Sequence, residues 1–302
     1  MTMQQNPARA GVLYAIAAYS MWGFAPVYFK AIKAIPATEI LMHRIVWSML
    51  ILVVLAFGLK NIHKVKAALR QPAVLKTLLI SGVLLAGNWL LFIWAVNNDH
   101  LLEASLGYYI NPLINVLLGF VFLGERLYRL QQVAVGLALI GVSYLVISVG
   151  HLPWIALVLA GSFGIYGLLR KQVAVDSLPG LLIETSMMMP FALGYWIWFA
   201  SPSADFTQNS SSLNLLLMAA GIVTTAPLLC FTAAAKRLMY STLGFFQYIG
   251  PSVMFILAVA LYNEPLEPAR LVTFGFVWTA LALFSFDSYR RYRQQRRARK
   301  TA

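Results

Sequence analysis

His43 and Arg44 stand side by side inside an apolar run over 40–59, and Glu184 stands inside another over 180–200. Ionisable groups in such runs are costly, at least ~2.5–3.5 kcal/mol at the centre of a bilayer, so each is a candidate for function. Arg44 offers a planar fork of donors that suits a carboxylate or phosphate on a solute. Glu184 is the candidate proton carrier, because burial raises a carboxyl pKa toward neutrality. The plain alternatives are that Arg44 snorkels to an interface and that Glu184 reaches the headgroups. His43 is a candidate for coupling or gating beside Arg44. Glu103 is another, set against simple solvation at an outer mouth. Asn88, Asn111, Asn115 and Gln247 fall in the middle thirds of apolar runs. Their amides could bind a solute or tie helices together. Asn111, Asn115 and Tyr108 share one helix face, a polar stripe. Trp22 and Trp89 lie deep enough to line a cavity, whereas Trp94, Trp196 and Trp198 stand near run ends, where interfacial anchoring is the simpler reading. Cys230, the single cysteine, is read as buried and inert.

The composition dictates what must hold these groups. Hydrophobic residues make up 60% of the 302 and charged residues 11%, too little polar surface for a soluble domain. At 1.5 Å per residue a core of about 30 Å needs around 20 apolar residues. Ten runs approach this: 11–29, 40–59, 77–96, 102–123, 130–149, 152–169, 180–200, 213–235, 241–262 and 270–286. The first is longer than a signal-peptide core and is expected to stay as an uncleaved helix. The expected fold class is therefore all-α, an integral membrane protein of ten transmembrane helices.

The charges set the orientation. With both termini cytoplasmic, successive inner segments hold one, five, two, two, two and seven Lys or Arg, 19 in all. The outer segments hold three, Lys30, Lys33 and Arg270. This is the positive-inside pattern, and it accounts for the net charge of +13 without nucleic acid. The basic tail over 290–300 is read as a contact with anionic lipid.

The sequence also repeats. A shift of 139 aligns Tyr109-Ile110-Asn111-Pro112 with Tyr248-Ile249-Gly250-Pro251, and Glu125 with Glu264, giving 12 identities across 82–136. Two units follow, 1–150 with helices one to five and 151–302 with helices six to ten and the tail. Five is odd, so the units enter the membrane from opposite sides. Such inverted repeats place a solute site near the midplane and provide two states for alternating access. Pro112 and Pro251 each remove a helix hydrogen bond and are expected to act as hinges lining the cavity. The ladder Ala156, Ala160, Gly164 reads as close helix packing.

The five-plus-five helices, the Tyr-Ile-x-Pro pairs and the Gly-Glu-Arg and Asn-Glu-Pro helix ends resemble the drug/metabolite transporter superfamily. Met21 to Lys30 and the Glu39-x4-Arg44 spacing make the chain similar to its EamA-type permeases, in the RarD-like group often labelled chloramphenicol-sensitive proteins. The resemblance implies a permease or exporter of small metabolites or drugs in a bacterial inner membrane. It also implies that Glu125 and Glu264 are the family's motif glutamates; it leaves the substrate open.

Secondary transport of a small organic solute is the expected function. The alternatives are a channel or scaffold and, further off, a membrane-embedded enzyme. No Walker A loop, GxSxG, HExxH or CxxC occurs in the sequence, and neither cofactor nor metal is expected. The sequence leaves a homodimer open.

Overall fold

The computed structural model describes residues 7–98, 100–199, 203, 205–261 and 268–301. With no water to satisfy the backbone, long apolar runs fold as helices, which close their hydrogen bonds internally. Among the described residues twelve helices form: α1 (Pro7–Ala31), α2 (Ala37–Gly58), α3 (Ile62–Leu69), α4 (Pro72–Asn97), α5 (Leu101–Leu123), α6 (Arg129–Val149), α7 (Trp154–Gln172), α8 (Ser177–Phe199), α9 (Ser211–Ala235), α10 (Tyr240–Gln247), α11 (Ile249–Ala260) and α12 (Pro268–Thr301). There is no strand among the described residues.

Eight of these helices are long and apolar enough to cross a membrane. α8 matches them in length but carries Glu184, Thr185 and Ser186 at its centre. α10 and α11 are short, and together they fill the run expected over 241–262. They part at Tyr248, three residues before Pro251. The proline ring clashes with the carbonyl four residues back, that of Gln247, so the interruption falls where sterics place it. Pro112, its repeat partner, stays within the unbroken α5. The first copy has Asn111 before its proline and the second has Gly250, a poorer helix former. α12 runs much further than the expected 270–286, carrying the basic tail as helix to Thr301. α3 arises in a segment expected to be a loop, and its buried Ala68 packs with Val74 and Ile183.

The helices pack in reciprocal pairs. α1 lies against α9 and α11, while α7 lies against α4 and α5; α6 pairs with α12, α5 with α10 and α2 with α8. Small residues permit the approach. A Cβ on Gly221 of α9 would lie 2.6 Å from the Trp47 backbone of α2, and one on Gly164 would lie 2.8 Å from Ile114 of α5. The Ala156–Gly164 ladder is thus a packing seam against α5. Outward faces stay apolar, with Ile147, Phe191, Ile197 and Trp198 all more than 70% exposed. Patches of this kind suit lipid and not water.

Candidate functional site

Arg44 reaches into the space between α2, α4, α8 and α9. Its Nε donates to Thr224 Oγ1 at 2.8 Å, and its Cζ stands 4.5 Å from the Trp89 ring centre and 5.8 Å from that of Phe29. The cavity there is lined by Arg44, Ser48, Trp89, Thr185, Thr224 and Thr225, together with apolar side chains of the same four helices. Its free volume is about 10 Å³, room for roughly one water. Arg44, half-buried, therefore lines this cavity. Tyr108, half-buried and 6.3 Å from Phe92, lies within electrostatic reach of Arg44.

Next to Arg44 on α2, a packed group stands outside the cavity lining. His43 is fully buried, its Nε2 3.1 Å from Ser203 Oγ, and its ring packs on Trp196 at 5.0 Å and Phe206 at 5.9 Å. The Ser203 amide donates to Glu39 Oε2 at 3.3 Å. Because the carboxylate binds the serine amide while His43 Nδ1 has no hydrogen-bond partner among the described residues, these three groups are not arranged as a nucleophile relay. Trp196, expected at an interface, instead closes over His43. Trp94 and Trp198 do lie exposed.

Further along α8 and α9 lies a separate cleft of about 630 Å³ lined by Tyr14, Lys64, Asp176, Cys230, Lys236 and Arg237, among others. Cleft and cavity follow one another along two helices. On α8 the cleft takes Ser177, Leu178 and Pro179 while the cavity takes Leu181, Thr185 and Met188. On α9 the change comes between Leu229 and Leu228. On α8 the one residue between the two sets is Gly180, and on α9 the two sets adjoin at Leu228 and Leu229. Lys64 Nζ lies 2.7 Å from Asp176 Oδ2, holding that carboxyl below its usual range. Lys236 Nζ donates to the Val173 carbonyl at 2.7 Å, and Lys171 Nζ donates to those of Ala235 and Leu238. The two lysines thus cap each other's helix ends, a favourable place for cations. Cys230, expected to be buried, is only half-buried and faces the cleft.

Glu184 does not reach any surface. It is fully buried 3.7 Å from Arg170, itself fully buried, and it accepts a hydrogen bond from Ser81 Oγ. Arg170 Nη2 donates to the Ser177 carbonyl at 3.2 Å. Gly180 makes room for the guanidinium, since a Cβ there would lie 2.1 Å from Nη1. Arg170, counted from sequence among the inner loop charges, is a buried partner.

The amides are committed to neighbouring helices. Asn88 Nδ2 donates to Leu159 O at 2.8 Å and Ser162 Oγ at 2.9 Å; Asn111 Nδ2 donates to Ala160 O at 2.6 Å. Asn115 Nδ2 bridges Asn111 Oδ1 at 3.1 Å and Gln247 Oε1 at 3.2 Å. These four line no part of the cavity and tie α4 and α5 to α7 and α10. Nor do Pro112 and Pro251 line it. Trp22 sits in a packed aromatic cluster, with Tyr19, Phe163 and Phe231 all 5.7–5.8 Å away. Glu103 is buried, not solvated, 3.3 Å from His100 and 3.8 Å from His151. Glu125 accepts from the Tyr240 amide at 2.5 Å, the Ser241 amide at 2.8 Å and Ser241 Oγ at 2.7 Å, capping α10. Glu264 lies outside the described residues.

Sequence reasoning missed Arg170, Ser81, Thr224 and Thr225. The adjacent threonines in the middle of an apolar run were a readable signal, since each hydroxyl there needs a partner. Arg170 gave none, because a cation at the end of a run looks like a loop charge.

The profile of the EamA-like transporter family matches residues 9–147. An uncharacterized transporter of Vibrio cholerae is 53% identical over 300 residues, covering 99% of both chains. Protein RarD of Escherichia coli is 54% identical over 295 residues, covering 97% of this chain and 99% of its own. A solved crystal structure that is 19% identical superposes with a TM-score of 0.71, covering 91% of this chain and 97% of that one, and shares the fold. Apolar crossing helices, an interior cation in a closed cavity and full-length kinship to transporters lead to one assignment: the chain is a multi-pass membrane transporter of the EamA-like family, among its RarD-like permeases.

Proposed function

We propose that the chain is a secondary transporter of small organic solutes that works by alternating access in a bacterial inner membrane, with both termini cytoplasmic. The observation that carries this reading is the succession, along α8 and α9, of an open cleft and a small, nearly filled cavity, parted at Gly180 on α8 and between Leu228 and Leu229 on α9. A pore would hold one continuous path. Here the cleft lies at the basic side, and in this reading the packed His43, Trp196 and Phe206 close the opposite end.

Ten membrane passes arise when α8 and the α10–α11 pair join the eight apolar helices. The reciprocal packing, α1 on α9 against α7 on α4, supports two inverted five-helix units over 1–150 and 151–302. So does the bond from the Tyr248 hydroxyl to the Tyr109 carbonyl, which joins repeat-equivalent tyrosines. Exchanging the two units would close the cleft and open the opposite end. Glu184 serves as the coupling group: protonation removes its charge from Arg170 and loosens the α7–α8 hairpin beside the cleft. In this reading the seven tail cations hold the end of α12 at anionic lipid.

Purified protein in liposomes tests coupling. An inward proton gradient is expected to drive solute flux, and Glu184→Gln is expected to abolish the gradient dependence while solute exchange persists. Gradient-independent flux in the unaltered chain would refute the coupling role. The single cysteine tests access. A membrane-impermeant maleimide is expected to label Cys230 in inside-out vesicles and not in right-side-out ones. The reverse pattern would overturn the orientation.

A further inference from the structure

We infer that the solute held in the Arg44 cavity is an amphipathic organic monoanion, with its carboxylate on the guanidinium and its apolar body against Ile45, Leu85, Met188 and Leu228. This deepens the transport reading and rests on it.

The argument begins with charge. Arg44 is an interior cation whose contacts are a threonine hydroxyl and aromatic rings. Among the described residues no carboxylate lies within ion-pair distance of it. The two glutamates on the helices that form the cavity are engaged elsewhere. Glu39 of α2 accepts from the Ser203 amide, and Glu184 of α8 faces Arg170 and Ser81. An uncompensated interior charge is unfavourable, and a solute that supplies the opposite charge removes that penalty in the bound state. Binding is thereby selective for anions, since a neutral analogue leaves the penalty in place.

The rest of the lining narrows the class. With Nε bonded to Thr224, the terminal nitrogens of the fork remain the natural bidentate partner of a carboxylate. The Thr225 hydroxyl, in the same wall, is buried without a hydrogen-bond partner among the described residues. One guanidinium balances one negative charge, so a dianion would carry its second charge into an apolar chamber. The lining holds no acid to receive an ammonium group, which disfavours cations. Its remaining side chains are aliphatic apart from Met188, Trp89 and the hydroxyls, and they suit a hydrocarbon body. In this state only about 10 Å³ is free, so the body is admitted when α8 and α9 part between cleft and cavity.

The test uses the full chain in detergent and in liposomes with three series that share bodies but differ in head group. These are propionate, hexanoate and 3-phenylpropionate, the primary amides of the same acids, and the amines of matching length. Binding is read as a thermal shift, and transport as counterflow of each labelled compound. At least one carboxylate is expected to bind about tenfold or more better than its amide, the effect of one charge-assisted hydrogen-bond pair. The amines are expected not to bind. Arg44→Gln is expected to erase the preference, and Arg44→Lys to keep part of it, which separates charge loss from misfolding. Equal binding of acids and amides, no binding by any acid, or an unchanged preference in Arg44→Gln would overturn the inference. Flux of amides or amines without acid preference would overturn it and leave the transport reading standing. Acid binding that depends on Arg44, without flux of any compound, would sustain the site and refute transport.

Discussion

Glu184→Ala is expected to lower the stability of the folded chain by about 3–5 kcal/mol, because it strands the Arg170 guanidinium in a fully buried site without its counter-charge. The site cannot easily release the cation. α8 presses Gly180 against the guanidinium, and Nη2 is already held by the Ser177 carbonyl. Replacing both partners with apolar side chains of similar volume, Arg170→Met with Glu184→Leu, is expected to restore most of the loss, since neither charge is then buried. Unfolding of the single and double variants in detergent checks both statements. If the double variant is no more stable than Glu184→Ala, the pair is not what the single variant breaks. Asp176→Asn makes the comparison sharp. Its partner Lys64 and its own side chain are both about half exposed, so its loss should stay within about 1 kcal/mol.

That contrast also explains what could be read from the sequence. Lys64, Arg170, Lys171 and Lys236 look alike in sequence, each a cation at the end of an apolar run. Their fates differ through tertiary contacts: one makes an exposed ion pair, one a buried pair, and two bond to helix carbonyls. Charge asymmetry reports which end of a helix is basic, and nothing finer. Hydropathy placed the long helices well because length and apolarity are all a crossing helix needs. It overlooked α3, whose lysines disguise a short amphipathic helix. Arg44 and Glu184 stood out because an ionisable group in an apolar run has few innocent explanations. The asparagines misled because an amide that binds a solute and an amide that binds a carbonyl leave the same trace. Only the packing of α5 on α7 tells them apart.

Glu125→Ala is expected to cost about 2–4 kcal/mol and to slow transport well beyond that loss in amount of folded protein. The carboxylate takes three hydrogen bonds at the start of α10, from two backbone amides and one hydroxyl. Charge-assisted bonds are each worth roughly 1.5–3 kcal/mol, and a helix N-terminus adds its own preference for an anion. The three share one carboxylate and do not add in full. The contact crosses from the end of α5, which carries the first Tyr-Ile-x-Pro, to the start of α10, which leads into the second at Tyr248 and α11. Gly119 sits beneath it, its would-be Cβ 2.7 Å from Glu125 Oε2. A bond set between the end of proline-bearing α5 and the helix that leads into Pro251 acts as a latch there, holding one of two alternative states. Glu125→Gln, which keeps the shape and loses the charge, should fall between the alanine variant and the unaltered chain in stability. Cys230 labelling gives the second readout. With the latch weakened, the population should shift between the cleft-open and cleft-closed states, and the labelling rate with it. A variant that loses stability but labels at an unchanged rate would make Glu125 a helix cap alone.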